Sequence, residues 1–99
     1  MNSYKAGNTI RITAEFRDFA NNLSDPTLIQ FKVYSQAYNL VGTFSVDTIS
    51  MKSSTGVYFY DYTIPDTGYT NQKMYYEFYG EVSGSPSLNR GSFKVIFAE

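Results

Sequence analysis

Apolar and polar side chains alternate one for one through most of this chain, and no other feature restricts its fold so tightly. A period of two belongs to a strand, which sends successive side chains to opposite faces, whereas a helix repeats near 3.6. The first long stretch puts Ile10, Ile12, Ala14 and Phe16 on one face and Thr9, Arg11, Thr13, Glu15 and Arg17 on the other. Ile29, Phe31 and Val33 continue the pattern after the turn residues Asn21-Asn22 and Asp25-Pro26. Leu40, Gly42, Phe44 and Val46 keep the spacing before Ile49 and Met51, as one strand with room for a short second.

Beyond Ser53-Ser54-Thr55-Gly56, Tyr58, Tyr60, Tyr62 and Ile64 share a face, and Asp61 on the opposite face assigns that one to solvent. Pro65-Asp66-Thr67-Gly68 ends the strand with proline and glycine where a type I turn wants them. Met74, Tyr76, Phe78, Gly80 and Val82 then alternate with Tyr75, Glu77, Tyr79 and Glu81. Ser83-Gly84-Ser85-Pro86-Ser87 reads as a flexible connector, and a last strand turns Phe93, Val95 and Phe97 inward. Six or seven short strands spaced by turns, with no helical period, predict an all-β antiparallel sandwich, with a small β-barrel as the alternative. At 99 residues the chain is long enough for one core, so a single domain over 1–99 is expected.

Cysteine, histidine and tryptophan are absent. The core must therefore close without disulfides or a Cys or His zinc site, and no Ser-His or Cys-His nucleophile can be assembled. Eighteen aromatic residues, ten Tyr and eight Phe, supply the bulk instead. Charged residues are 17% of the chain, so eleven Ser, nine Thr and seven Asn must carry much of the polar surface. A net charge of −1 is too balanced for the phosphate attraction on which nucleic-acid binding rests. No apolar run approaches the roughly 20 residues that span a bilayer, and Met1-Asn2-Ser3-Tyr4 does not open like a signal peptide. Neither nucleic acid nor membrane is expected as a partner, and a cysteine-free chain suits a reducing compartment or a particle assembled in one.

Carboxylates are the remaining acid-base groups. Asp18 and Asp25 flank one loop, and Asp61 and Asp66 bracket the end of a strand, which would admit a glycosidase-like pair or a calcium site. Neither pair follows a ligand spacing, so turn capping and a solvated strand face are the expected roles. A Ser-Lys arrangement around Lys52 lacks a positioned partner. No enzyme, cofactor or metal site is expected.

The order of signals resembles a family. Tyr4-Lys5-Ala6-Gly7-Asn8-Thr9 running into an alternating strand, Asp25-Pro26-Thr27 opening the next, and Thr55-Gly56-Val57-Tyr58 entering a tyrosine-alternating strand are similar to immunoglobulin-like domains of bacteriophage structural proteins and bacterial surface proteins. The Cys…Trp…Cys core of antibody-type domains is absent. The resemblance implies an immunoglobulin-like β-sandwich and a structural or adaptor role, as a head, neck or tail component of a virion assembled in the host cytoplasm. The partners would be other protein subunits, including further copies of the chain. The alternative is a carbohydrate-binding or adhesion module on a bacterial surface.

Five aromatic residues are candidates for the contact. Tyr75 and Tyr79 share a face with Glu77 and Glu81 and so point outward, with Phe59 expected nearby on a neighbouring strand. Tyr34 and Tyr38 are expected to form a separate patch at a loop end. Exposed tyrosines combine large rigid area with a polar tip, which suits a protein partner and equally a stacked glycan.

Overall fold

A computed structural model describes residues 2–97. Met1, Ala98 and Glu99, at the ends of the span assigned to the domain, lie outside the described residues. The described residues form eight strands and no helix: β1 (Asn2–Lys5), β2 (Thr9–Glu15), β3 (Ile29–Tyr34), β4 (Leu40–Ser45), β5 (Lys52–Ser54), β6 (Val57–Thr63), β7 (Lys73–Val82) and β8 (Ser85–Ile96). They make a five-stranded sheet, in the order β1-β8-β7-β3-β4, and a three-stranded sheet, β2-β6-β5. This is the two-layer arrangement of a β-sandwich, and the separate sheets exclude a closed barrel among the described residues. All pairings are antiparallel except one, because β1 runs parallel to the end of β8 with Asn2 opposite Phe93 and Lys5 opposite Ile96.

The core lies where the expected alternation puts it. Ile10, Ile12, Ala14, Tyr58 and Tyr62 from one sheet meet Ile29, Phe31, Val33, Met74, Phe78, Phe93 and Val95 from the other, all buried. Phe31 is at the centre, with its ring centroid 4.8 Å from Phe78 and stacked 5.0 Å from Tyr60. No buried side-chain nitrogen or oxygen lacks a hydrogen bond among the described residues, so the hydroxyls of the buried tyrosines bring no unmet polar cost.

The structure departs from the expected pattern at four places. Ser83 and Gly84, at φ 53° and 80°, form a two-residue turn, so the supposed connector is a tight hairpin and β8 already begins at Ser85. Phe97 lies beyond the end of β8 and is 71% exposed rather than inward. Ile49 is exposed in a turn held by Asp47, whose carboxylate accepts from the Ile49 and Ser50 amides. Leu40 is exposed because the register shifts beside it: Val33 faces Gly42 and Tyr34 faces Leu40, which hands the inward position to Val41.

Candidate functional site

The outer face of the five-stranded sheet is set by the register of four strands. Cross-strand partners share a face, so Ser92, Tyr75, Tyr34 and Leu40 make one row across β8, β7, β3 and β4. Arg90, Glu77, Lys32 and Thr43 make the next, and Leu88, Tyr79, Gln30 and Ser45 the one after. Lys73 and Lys94 pair at the near end of the same face, with Lys5 on adjoining β1.

Tyr38 completes this surface from outside the strands. It sits in the β3–β4 connection, where its amide donates to the Ser35 carbonyl and the Ser35 amide donates to the Asn39 carbonyl. Its φ is 65°, a conformation that costs a bulky side chain free energy. That turn folds the ring back onto Tyr75, with centroids 4.6 Å apart and planes inclined by 22°. The Tyr75 hydroxyl holds the Tyr38 pKa above its ordinary value, while Lys73 pulls it the other way. The Lys73 ammonium also stands over the Tyr75 ring, 5.0 Å from its centroid. Tyr38 itself remains 69% exposed.

Beside the stacked pair lies a cleft of about 350 Å³ bounded by Tyr34, Tyr38, Tyr75, Glu77 and Arg90, with Tyr76 and Gly91 beneath. Arg90 Nε donates to Glu77 Oε2 at 2.7 Å. The Glu77 side chain is only 13% exposed, so the ion pair forms one wall of the cleft. Gly91 is required for the floor: a methyl group there would run into the Tyr76 ring, which crosses it on the inner side.

Of the five aromatic candidates, Tyr75 and Tyr79 share the outer face with Glu77 as expected, and the grouping of the others differs. Tyr34 and Tyr38 are not a separate patch, since they join Tyr75 in one cleft. Tyr79 is on the same outer face but four residues from Tyr75, roughly 14 Å along β7, between Gln30 and Leu88. Phe59 is on the other sheet, opposite Thr13 on β2, with the Arg11 guanidinium 3.9 Å from its ring centroid. Period-two spacing assigns a face but not a sheet, and so it groups Phe59 with Tyr75 although their strands never pair. The residues missed by sequence reasoning are Lys32, Lys73, Arg90 and Gly91, whose contributions depend on the register of β8 against β7 and, for Lys32, on the pairing of β3 with β7.

Three of the four acidic candidates, Asp18, Asp25 and Asp61, have hydrogen-bond partners within the fold, and Asp66 has no side-chain hydrogen bond or ion pair among the described residues. Asp18 accepts from the Ala20 and Asn22 amides, and Asp61 is in a two-point pair with Arg11. Asp25 accepts from Lys52 Nζ, the Gly56 amide and the Tyr58 hydroxyl, and these donors hold its pKa below the usual carboxylate value, Lys52 most of all. Among the described residues no three potential metal ligands of the His, Cys, Asp and Glu types stand together. No family model, curated protein or solved structure matches the chain.

Proposed function

We propose that the chain is a non-enzymatic adaptor, an immunoglobulin-like domain of a phage virion that holds another protein subunit through the outer face of its five-stranded sheet. The observation that carries the docking surface is Tyr38. A bulky residue kept at positive φ with its ring exposed has no evident benefit to the core, so the cost is understandable where the ring serves a contact. Tyr34, Tyr75 and Tyr79 extend the surface with rigid area of the kind enriched at interfaces. The strand order supports the immunoglobulin-like reading. β2-β6-β5 against β8-β7-β3-β4 corresponds to strands B-E-D against G-F-C-C′, with β1 beside the last strand. The virion setting rests on the sequence resemblance.

Co-sedimentation with assembled phage particles tests the reading. Tagged wild-type chain should sediment with the particles, and Tyr38→Asn combined with Tyr79→Ala should leave folded protein in the supernatant. A chain absent from particles, or a variant retained at wild-type occupancy, contradicts it. One observation favours a second reading, a glycan-binding module: the cleft lies within the size range of small-ligand sites and one face of the exposed Tyr38 ring is open to stacking. In that case a neutral oligosaccharide would bind the isolated domain and Tyr38→Asn would abolish the binding.

A further inference from the structure

The chain is nearly neutral, but its charge is unevenly distributed. The outer face of the five-stranded sheet carries Lys5, Lys32, Lys73, Arg90 and Lys94 against Glu77 and Glu81, a net of +3, which leaves −4 for the rest of a chain whose total is −1. Pairing is just as uneven. The three basic residues elsewhere are all matched within the fold: Arg11 with Asp61, Arg17 with Glu15 and Lys52 with Asp25. On the outer face, Lys5, Lys32, Lys73 and Lys94 have no carboxylate partner among the described residues. Arg90 uses only Nε on Glu77, which leaves its terminal nitrogens for another acceptor.

Resting on the docking surface proposed above, we infer that its partner is an acidic, extended protein segment with an apolar side chain between two carboxylates. The spacing carries the inference. Lys73 with Lys94 and Lys32 with Arg90 are cationic rows four residues apart along β7, roughly 14 Å, with Tyr75 and Tyr34 between them. An extended peptide advances about 3.4 Å per residue, so its positions i and i+4 match the two rows and position i+2 meets the tyrosines. A peptide also suits the surface better than a base or sugar at Tyr75, because that ring already carries Tyr38 and the Lys73 ammonium. Glu77 sits in the same row between Lys32 and Arg90 and repels a carboxylate placed midway, so the incoming carboxylate must lie over Lys32 or the free end of Arg90, which makes the contact selective.

The test uses a synthetic peptide repeating Glu-Ser-Leu-Ser, titrated into the isotope-labelled chain and followed by amide NMR shifts. The expected result is binding confined to β3, β7, β8 and the Tyr38 turn. Affinity should fall about tenfold or more between 50 and 300 mM salt, as charge-steered contacts do. Lys32→Glu with Lys94→Glu should lower affinity at least about tenfold, while Arg11→Glu on the other sheet leaves it unchanged. The inference is overturned if the peptide does not bind, if its Lys-for-Glu counterpart binds as well, or if hyaluronate or oligothymidylate binds more tightly at the same residues. Should the peptide fail while Tyr38→Asn still loses the particle, only the acidic character of the partner is wrong. Should the peptide bind while particle occupancy is unaffected by the Lys32→Glu and Lys94→Glu pair, the docking surface itself is wrong.

Discussion

Tyr38 brings two opposed effects into one side chain. Its positive φ costs about 1–2 kcal/mol, and its stack on Tyr75 returns about 0.5–1.5 kcal/mol. Tyr38→Asn removes both, since asparagine tolerates the left-handed region, so stability by urea denaturation should change by less than about 1 kcal/mol. Binding should nevertheless be lost, which separates a contact residue from a structural one. Tyr58 behaves in the opposite way. It is fully buried with its hydroxyl donated to Asp25, and burial first, then Asp25, pushes its pKa up to about 12. A raised tyrosine pKa favours the folded state fully below the unfolded value near 10 and loses that contribution as pH rises toward 12. Asp25 has the reverse sign: its lowered pKa contributes above the ordinary value of 3.8, and the contribution is lost as pH falls through the folded value. Urea midpoints measured across pH should therefore decline at both ends. Tyr58→Phe should blunt the alkaline limb, Tyr38, Tyr62 and Tyr76 supplying the remainder, and Asp25→Asn should blunt the acid limb, Asp47 and Asp61 supplying the remainder.

Among the elements, β7 and β8 determine both the core and the outer face. Their long hairpin pairs Tyr76 with Gly91 and Gly80 with Ser87, and both glycines are there because a neighbour has taken the space. A methyl on Gly80 would lie 2.8 Å from the Phe16 ring and 3.0 Å from Pro26, groups too well packed to withdraw. Gly80→Ala and Gly91→Ala should each cost about 1–3 kcal/mol by thermal or urea unfolding, the usual cost of overpacking. Gly91→Ala should also disturb the cleft by displacing Tyr76. Pro86 is tolerated inside β8 because that part of the strand is a free edge, β1 covering only Phe93 to Ile96. The alternation made β2, β6 and β7 legible in the sequence, with Arg11 and Glu15 on β2, Asp61 on β6, and Glu77 and Glu81 on β7 marking the outer faces. The start of β8 was not legible, because Ser83-Gly84 reads equally as a loose linker or as a two-residue turn until Val82 is seen to pair directly with Ser85. The fate of Leu40 was hidden too, since a single bulge reverses parity without leaving a mark in composition.

At the scale of the whole molecule, the outward direction of Tyr75 and Tyr79 was legible and their company was not. Tyr34, Tyr38 and Tyr75 converge only because β3 lies beside β7, and Phe59 diverges only because β6 belongs to the other sheet. Charge segregation was equally hidden, because Lys5, Lys32, Lys73, Arg90 and Lys94 are scattered along the chain and meet only through the sheet register. The balanced total that argued against a nucleic-acid or anionic-membrane partner is the sum of a basic face and an acidic remainder. Lysine acetylation, quantified residue by residue on the free chain and on the chain in assembled particles, tests the proposed working surface most directly. Lys32, Lys73 and Lys94 should become protected in the particle while Lys52, on the other sheet, keeps the reactivity it has in the free chain. Protection of Lys52 alone, or of no lysine at all, would contradict the assignment of the five-stranded sheet's outer face as the docking surface.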